Sequence, residues 1–224
     1  MMRSESDKQY YCAEFRKYST PTISDVLDSL GIAGGLRGIH QRGSHSDCVG
    51  FVFTVKFQLM DREEFYAADD FIEDVSKGDV IVIDNAGRDF CTVWGNILTE
   101  FAVKKGIAGT IVYGAIRDIS ESHNLKYPLF SSHVFMQSGK ARIRKEAQQC
   151  PISINGTIVN NGDLLRADAN GCVVVPQSQL NEVLERAANI RKTEQCIIDG
   201  VRAGKSVSLL RKKYSYAKPW EQKR

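Results

Sequence analysis

The stretch from residue 78 to residue 118 constrains the fold more than any other part of the chain. It contains two β-branched apolar runs, at residues 80–84 and 110–113, which end in turn residues as strands buried on both faces do. Between them, apolar residues recur at the spacing of a helix that covers one side of a sheet: Ile97, Leu98, Phe101, Ala102 and Ile107. This pattern predicts a βαβ unit with a right-handed crossover, so the two strands should be parallel and end at the same edge.

Open α/β sheets bind their ligands at that edge. The first strand ends at Asp84, and the helix begins near Asn96. The second strand leads into the pair Arg117-Asp118. We therefore expect a carboxylate, a guanidinium group and a helix N-terminus with free N–H groups to meet there.

Composition and charge describe an ordinary globular protein. The 224 residues are 42% hydrophobic and 25% charged, which is enough to bury a core without metal or disulfide staples. The formal net charge is only +3, and much of the basic excess lies at the C-terminal end. The composition therefore does not predict a nucleic-acid-binding face on the body of the protein.

Cysteine spacing and hydropathy bear on location. The six cysteines form no CxxC pair, and no histidine lies at zinc-ligand spacing from them, which is typical of reduced thiols in a cytosolic protein. No apolar run approaches eighteen residues, and the N-terminus lacks the apolar core of a signal peptide. We therefore expect a cytoplasmic protein that does not associate with membranes.

The segments around the βαβ unit complete a mixed α/β fold. Residues before Tyr10 are polar and expected to be frayed. Residues 19–31 have the apolar stripe of a helix, which Thr22 or Ser24 can cap and Gly31 ends. On that helix Asp25 and Asp28 could share a metal, but carboxylates near a helix start more commonly compensate its dipole. A strand is predicted from residue 48, an acidic helix at 61–75 and further sheet after Pro128. Residues 151–176 are predicted to form a β-meander with Asn-Gly turns at 155, 161 and 170. One long helix is predicted at 177–204.

These elements indicate one domain with extensions at both ends. Residues 1–17 are assigned to an N-terminal extension, 18–204 to a single α/β domain, and 205–224 to a basic C-terminal arm, expected to be extended. Within the domain, Arg117-Asp118 is the most specific local signal. Glu121 follows three residues later, so Asp118 and Glu121 can face the same way on a helical turn. Two oxygen ligands beside a planar cation suit a divalent metal with a small carboxylate substrate, although such a pair is often only a surface ion pair.

Four motifs in matching order carry a resemblance to a known family. The segments STPTISDVLDSLGI, GDVIVIDNAG, WGNILTEFAVKKGIAGTIVYGAIRD and NGDLLRADANGCVVVP resemble the class II 4-hydroxy-4-methyl-2-oxoglutarate aldolases and the related regulators of ribonuclease activity A. The resemblance extends from about residue 18 to about residue 204. It implies a swivelling three-layer β/β/α fold with a mixed sheet, assembled as a homotrimer or homohexamer with active sites between subunits.

The same resemblance implies a set of site residues. Asp118 would bind Mg²⁺ or Mn²⁺, Glu121 matches an acid that follows the Arg-Asp pair, and Glu194 from a neighbouring subunit would complete the outer shell of the metal. Arg117 would hold the pyruvyl oxygens and stabilise the enolate. The substrate carboxylate would bind at the start of the helix, at Gly95, Asn96, Ile97 and Leu98.

Two positions depart from the family pattern. Asn96 stands where the aldolases carry an acid that orients metal-bound water, so the site has one negative charge fewer and a weaker candidate for a base. Asn96 is nevertheless assigned, with Arg117, to the catalytic residues. Asn170 replaces an Asp before Gly171 and is interpreted as a turn residue.

The resemblance predicts a metal-dependent lyase that cleaves a 4-hydroxy-2-oxo acid to pyruvate and a carbonyl product, with oxaloacetate decarboxylation as a side activity. Two alternatives remain open. One is a non-catalytic binding protein like the ribonuclease regulators. The other is a decarboxylase or isomerase of the same scaffold that acts on another 2-oxo or sugar acid.

Overall fold

The computed structural model describes residues 4–60 and 71–216 of the chain. The helices are α1 (Glu5–Phe15), α2 (Thr20–Ser29), α3 (Asn96–Lys105), α4 (Ile119–Asn124), α5 (Leu180–Arg202) and α6 (Val207–Lys213), with short 3₁₀ turns at Ile72–Asp74 and Gln177–Gln179. The strands are β1 (His40–Gln41), β2 (Cys48–Leu59), β3 (Val80–Asp84), β4 (Gly109–Ile116), β5 (Leu129–Val134), β6 (Ile143–Gln148), β7 (Ile152–Ile154), β8 (Thr157–Val159), β9 (Leu164–Asp168) and β10 (Gly171–Val175).

A mixed sheet organises these elements, as predicted. Its strand order is β1-β5-β4-β3-β2-β9-β10, and β6 also pairs with β2. The strands from β2 to β5 are parallel neighbours, whereas β1, β6, β9 and β10 pair antiparallel. The predicted βαβ unit is β3-α3-β4, and its two strands are adjacent and parallel. The α/β fold class with a mixed sheet is therefore confirmed.

Burial on both faces of the central strands divides the core. Alternate residues of β3 enter different clusters, Ile81 and Ile83 on the side of α3 and α4, and Val80 and Val82 on the side of the β7–β8 hairpin. A third cluster lies where α1, α2 and α5 pack on the β9–β10 end of the sheet. The sheet therefore has an apolar core on each face.

The expectation that the N-terminal residues are frayed is wrong for residues 4–9, which cap and begin α1. The Ser4 hydroxyl accepts from the Asp7 N–H at 3.2 Å, and the Asp7 carboxylate accepts from the Ser4 N–H at 3.3 Å. This reciprocal capping box satisfies two of the donors that a helix start leaves open. Tyr11 and Phe15 anchor the helix in the same cluster as α2 and α5.

The C-terminal segment also differs from the extended arm expected. Residues 207–213 form α6, and Leu210 is buried against α5 at Gly200, where an added Cβ would lie 2.6 Å from the leucine side chain. Residues 217–224 lie outside the described residues. So does most of the predicted acidic helix, because the described part begins at Phe71 and contains only the 3₁₀ turn there.

The predicted hairpin turns are correct at two of the three Asn-Gly dipeptides. Asn155-Gly156 joins β7 to β8 and Asn170-Gly171 joins β9 to β10, with positive φ at three of these four residues. Asn161-Gly162 instead connects β8 to β9, which belong to different sheets, and the Gly162 N–H donates to the Val52 carbonyl. Helix α5 and the strand after Pro128 form as predicted. Within the described residues, none of the helices has the length and apolarity needed to cross a bilayer.

Candidate active site

A cavity of about 450 Å³ opens where β4 ends and α3 begins. The first turn of α3 and the loop before it form one side, and Arg117 and Asp118 follow β4 on another. The remaining lining residues come from β2, the segment at 71–72, and the start of β6 with the loop before it: Phe57, Phe71, Ile72, Ser138, Gly139, Lys140, Ile143, Arg144 and Lys145. The predicted meeting of Arg117-Asp118 with the helix start is therefore what the structure shows.

The Asp118 carboxylate bridges the two elements. Its Oδ2 accepts from the Asn96 N–H, the first amide of α3, at 2.9 Å, and lies 3.5 Å from Arg117 Nε. Both side chains are 37% exposed. Asp118 adopts left-handed backbone angles, φ 59° and ψ 47°, which are uncommon for a residue other than glycine and recur at functional sites. The carboxylate thus lies at the positive end of α3.

Gly95 makes this close approach possible. A Cβ added there would lie 2.7 Å from Asp118 Oδ2 and 3.3 Å from Arg117 Nε. The backbone at Gly95 is extended, so space and not backbone conformation requires glycine. Any side chain at this position would displace the Asp118 carboxylate from the Asn96 amide.

Trp94 holds the loop before α3 in place. The Trp94 Nε1–H donates to Thr99 Oγ1 at 2.9 Å, and the Thr99 hydroxyl donates to the Gly95 carbonyl at 3.1 Å. The Trp94 ring stacks on Tyr127 with centroids 6.3 Å apart, and the Trp94 carbonyl accepts from the Arg117 N–H. The cavity wall is therefore fixed to the start of α3 and to the end of β4.

The start of α3 presents amide donors to the cavity. The N–H groups of Ile97 and Leu98 have no acceptor within the helix, because the first turn of any helix lacks preceding carbonyls. The prediction that Ile97 covers the sheet is wrong, since its side chain is 85% exposed and lines the cavity mouth. A helix N-terminus of this kind binds carboxylates and phosphates.

Asn96 contributes a polar atom without a partner. Its side-chain Oδ1 is buried and accepts no hydrogen bond from the described residues. An unsatisfied buried acceptor costs about 1–3 kcal/mol, which commonly marks a place where a ligand or water binds.

Asp84 lies elsewhere than predicted. Its Oδ1 accepts from the Ala86 N–H at 2.7 Å, which closes the turn after β3, and Asp84 does not line the cavity. Burial raises the pKa of this carboxyl, and the Ala86 N–H partly offsets the effect. The carboxylate predicted at the sheet edge is thus supplied by Asp118.

The other two candidate metal ligands lie apart from the cavity. Glu121 is exposed on α4. Glu194 on α5 lines a second depression, the α5–α6 groove, with Ile197, Ile198, Val201, Arg202, Val207, Arg211 and Tyr216. Burial and then the nearby Asp25 raise the pKa of Glu194. Across residues 4–60 and 71–216, three or more His, Cys, Asp or Glu side chains do not cluster to hold a metal within one chain. The contribution of Glu194 from a neighbouring subunit stays a prediction.

A basic wall of the cavity, which was not predicted from the sequence, is formed by Lys140, Arg144 and Lys145. These basic residues are evident in the sequence segment KARIRK. Their position beside the cavity depends on the pairing of β6 with the end of β2, from Val55 to Leu59. That pairing is long-range and brings β6 opposite α3. The wall gives the cavity a positive charge that favours anionic ligands.

Comparison with known proteins supports the predicted family. A family model described as RraA-like, Aldolase/RraA, matches residues 20–174. Protein DlpA of Legionella pneumophila is 40% identical over 200 residues, which cover 88% of this chain but 32% of that protein, so the chain spans about a third of its length. A Halalkalibacterium halodurans protein named "Putative 4-hydroxy-4-methyl-2-oxoglutarate aldolase" is 33% identical over 207 residues, 91% of this chain and 94% of that one.

A solved structure agrees with this assignment. Streptomyces coelicolor RraAS2, described as an unusual member of the RNase ES inhibitor RraA protein family, superposes with a TM-score of 0.78 at 26% identity, covering 86% of this chain and 97% of that one. Together with the family match over residues 20–174, this shows that the chain belongs to the RraA-like (Aldolase/RraA) family.

Proposed function

We propose that the protein is a divalent-metal-dependent lyase that breaks the C3–C4 bond of a 2-oxo acid and releases pyruvate. Its substrates would be 4-hydroxy-2-oxo acids and oxaloacetate. The observation that carries the proposal is the cavity in which Arg117, Asp118 and the N-terminus of α3 converge. The names of relatives as aldolases support the same reaction class.

The cavity can bind and orient a pyruvyl group. The Ile97 and Leu98 amides at the helix start would receive the substrate carboxylate. The Arg117 guanidinium, 3.5 Å from Asp118 Oδ2, lies beside the same helix end and can donate to the 2-oxo oxygen. Phe71 and Leu98 give the cavity an apolar wall as well.

The oxygen donors fit a small divalent cation. Asp118 has a second carboxylate oxygen beside the one that accepts the Asn96 amide, and Asn96 Oδ1 is buried without a partner. Hard oxygen donors suit Mg²⁺ and Mn²⁺, and Mg²⁺ binds through one or two carboxylates and keeps several waters. Asp118 would hold the ion, with Glu121 and a neighbouring subunit's Glu194 as further candidates. When bound, the ion would polarise the 2-oxo group as a Lewis acid.

The residues of the chain stabilise the charge that develops when the bond breaks. As the C3–C4 electron pair moves onto the pyruvyl fragment, negative charge accumulates on the 2-oxo oxygen. Arg117 is positioned to donate to this oxygen, as the donors of an oxyanion hole do. Trp94 and Gly95 keep Arg117 and the helix start in register, so little reorganisation is needed during the reaction.

The experiment is a pyruvate-release assay on the purified full chain. Oxaloacetate and 4-hydroxy-4-methyl-2-oxoglutarate are supplied with Mg²⁺ or Mn²⁺, and parallel samples contain a chelator. We expect metal-dependent pyruvate release and exchange of the pyruvate methyl protons with D₂O. Absence of turnover on both substrates together with absence of exchange would overturn the proposal.

A second candidate function is binding of a ribonuclease without catalysis. The 26% identity to RraAS2, described as belonging to an RNase ES inhibitor family, favours it. Asn96 also favours it, because an amide cannot replace the acid that the aldolases carry at this position. Capture of a ribonuclease by the immobilised chain, together with no heat of Mg²⁺ or Mn²⁺ binding by calorimetry, would support this function over the lyase.

A further inference from the structure

The cavity offers few groups that can take a proton. Among the described residues that line it, Asp118 is the single carboxylate and no histidine is present. Its cations, such as Arg117 and Lys140, carry donors only and cannot accept a proton in their charged forms. The remaining polar side chains are the amide of Asn96 and the hydroxyls of Thr92 and Ser138, which are weak bases.

Asp118 is committed to other contacts. Its Oδ2 accepts from the Asn96 N–H at 2.9 Å and lies 3.5 Å from Arg117 Nε. The proposed function assigns its other oxygen to the metal, and it assigns Glu121 and a neighbouring subunit's Glu194 to the same ion. Asn96, whose backbone N–H donates to Asp118, has a buried Oδ1 that can accept a hydrogen bond but cannot take up a proton.

The two substrate types differ in their need for a base. Cleavage of a 4-hydroxy-2-oxo acid converts the C4 hydroxyl to a carbonyl, so a base must remove the hydroxyl proton as the C3–C4 electron pair moves to the enolate. Decarboxylation of oxaloacetate sends the same electron pair to the same enolate while neutral CO₂ leaves. No hydroxyl proton is lost, and one proton from water at C3 then gives pyruvate.

We infer that this site prefers 2-oxo acids with a carboxylate on C3, of the oxaloacetate type, over 4-hydroxy-2-oxo acids, and that Asn96 determines the preference. The inference rests on the proposed function and reverses the order of main and side activity that the family resemblance implies. Lining side chains such as Phe71, Leu98 and Ile143 give neutral CO₂ an apolar volume to enter.

The test compares kcat/KM for the two substrates on the full chain with the same metal. Pyruvate is measured after subtraction of the protein-free decarboxylation rate. Because a positioned base contributes about 10²–10⁴-fold, we expect oxaloacetate to be preferred by about 10²-fold or more. Equal or faster turnover of 4-hydroxy-4-methyl-2-oxoglutarate by the unmodified chain would overturn the inference, and this comparison requires no variant.

A pair of variants tests the part played by Asn96. Asn96→Asp places a carboxylate where the amide is, so the preference for oxaloacetate should fall at least about tenfold. Asn96→Ser is the matched control, because it removes the amide without supplying a base, and its preference should not fall. A shift in Asn96→Asp no larger than in Asn96→Ser would overturn the assignment.

Methyl-proton exchange of pyruvate in D₂O distinguishes failure of the inference from failure of the proposed function. Exchange reports enolate formation without any C–C bond cleavage. Because it removes a methyl proton and the described lining residues supply no positioned base, exchange should be slower than oxaloacetate decarboxylation. If exchange occurs but the hydroxy acid is the better substrate, the inference fails and the proposed function stands. If exchange and both cleavage reactions are absent, the proposed function fails and the inference fails with it.

Discussion

Two depressions on this molecule differ in how their charged groups are held. In the cavity at the end of β4, the Asp118 carboxylate is bound by a helix amide at 2.9 Å and lies against Arg117. In the α5–α6 groove, Glu194 lies near another carboxylate, Asp25, and Arg202 contacts Asp199 only at 3.6 Å with both side chains exposed.

The groove has a volume of about 600 Å³, similar to the 450 Å³ of the cavity, but its described lining residues include no helix N-terminus beside an arginine and a carboxylate. Apolar side chains line it, among them Ile198, Val201 and Val207, each more than 40% exposed. Convergence of oriented donors, and not volume, is therefore the reason why the cavity is the candidate active site.

The largest effect should come from substitution of Arg117 in the cavity. Arg117→Ala removes the proposed donor to the 2-oxo oxygen, so pyruvate release should fall by about 10²–10³-fold. Arg117→Lys should recover part of the loss, because it keeps the charge but not the planar fork. Arg202→Ala, the matched cation of the α5–α6 groove, should stay within about threefold of the unmodified chain. Steady-state kinetics on oxaloacetate would contradict the comparison if the two alanine variants lost similar activity.

Gly95→Ala should separate activity from stability. The added methyl lies 2.7 Å from Asp118 Oδ2, which is the end of a side chain and can move aside. The shift would break the Asn96–Asp118 contact, and misplacement by about 1 Å can cost about 10²-fold in kcat. The midpoint of urea unfolding should change little. Gly35→Ala is the control, because nothing lies within 4 Å of an added Cβ there. Equal activity of the two variants would show that the close approach at Gly95 is not needed.

The sequence predicts the βαβ half of the site because its parts are close along the chain. The buried strand β3, the helix start at Asn96 and the pair Arg117-Asp118 all lie within about forty residues, where hydrophobic periodicity and chain reversal fix their relation. The helix caps were less well predicted, because Ser19 and not Thr22 or Ser24 caps α2, and because Ser4 and Asp7 form a capping box in a polar N-terminus. The Ser4 and Asp7 pair is present in the sequence, but no apolar stripe accompanies it to indicate a helix.

The other half of the cavity depends on contacts that periodicity does not encode. Lys140 and Arg144 reach the site because β6 pairs with the last residues of β2, more than eighty positions earlier. A register of this kind is set by the packing of the whole sheet. The same limit explains Asp84, which ends the correct strand but bonds to its own turn at Ala86 instead of facing the cavity.

Trp94→Phe tests whether the fixed wall of the cavity also stabilises the fold. The variant loses the Nε1–H that donates to Thr99 and part of a side chain that is only 2% exposed. We expect a loss of about 1–3 kcal/mol in the free energy of unfolding, measured by urea titration. Tyr10→Phe, at a ring that is 57% exposed, should change it by no more than about 0.5 kcal/mol. Similar values for the two would mean that the indole contact does not hold the loop.

The smallest effect concerns the carboxylates near the α5–α6 groove. Burial, and then the charge of Asp28, raises the pKa of Asp25, so the native state binds this proton more tightly than the unfolded chain. Stability is therefore lost as pH rises from the ordinary carboxyl value of 3.8 through the raised pKa, and the penalty is complete above that window. Asp25→Asn should stabilise the protein at neutral pH by about 0.3 kcal/mol, because Asp25 is only partly buried and solvent screening limits the effect.

The pKa of Asp168 is shifted in the opposite direction to that of Asp25. Burial alone would raise the pKa of its carboxyl, but hydrogen bonds from the Thr20 amide and hydroxyl, at 2.8 and 2.7 Å, and from Asn170 outweigh burial and lower it. Its stabilising contribution is present above the ordinary carboxyl pKa and lost as pH falls through the lowered value. Asp168→Asn should therefore destabilise at neutral pH and converge with the unmodified chain in acid, whereas Asp25→Asn should gain. Urea unfolding in chelator between about pH 3 and pH 7 measures both, and a common sign would contradict the view that local donors decide what each carboxylate contributes.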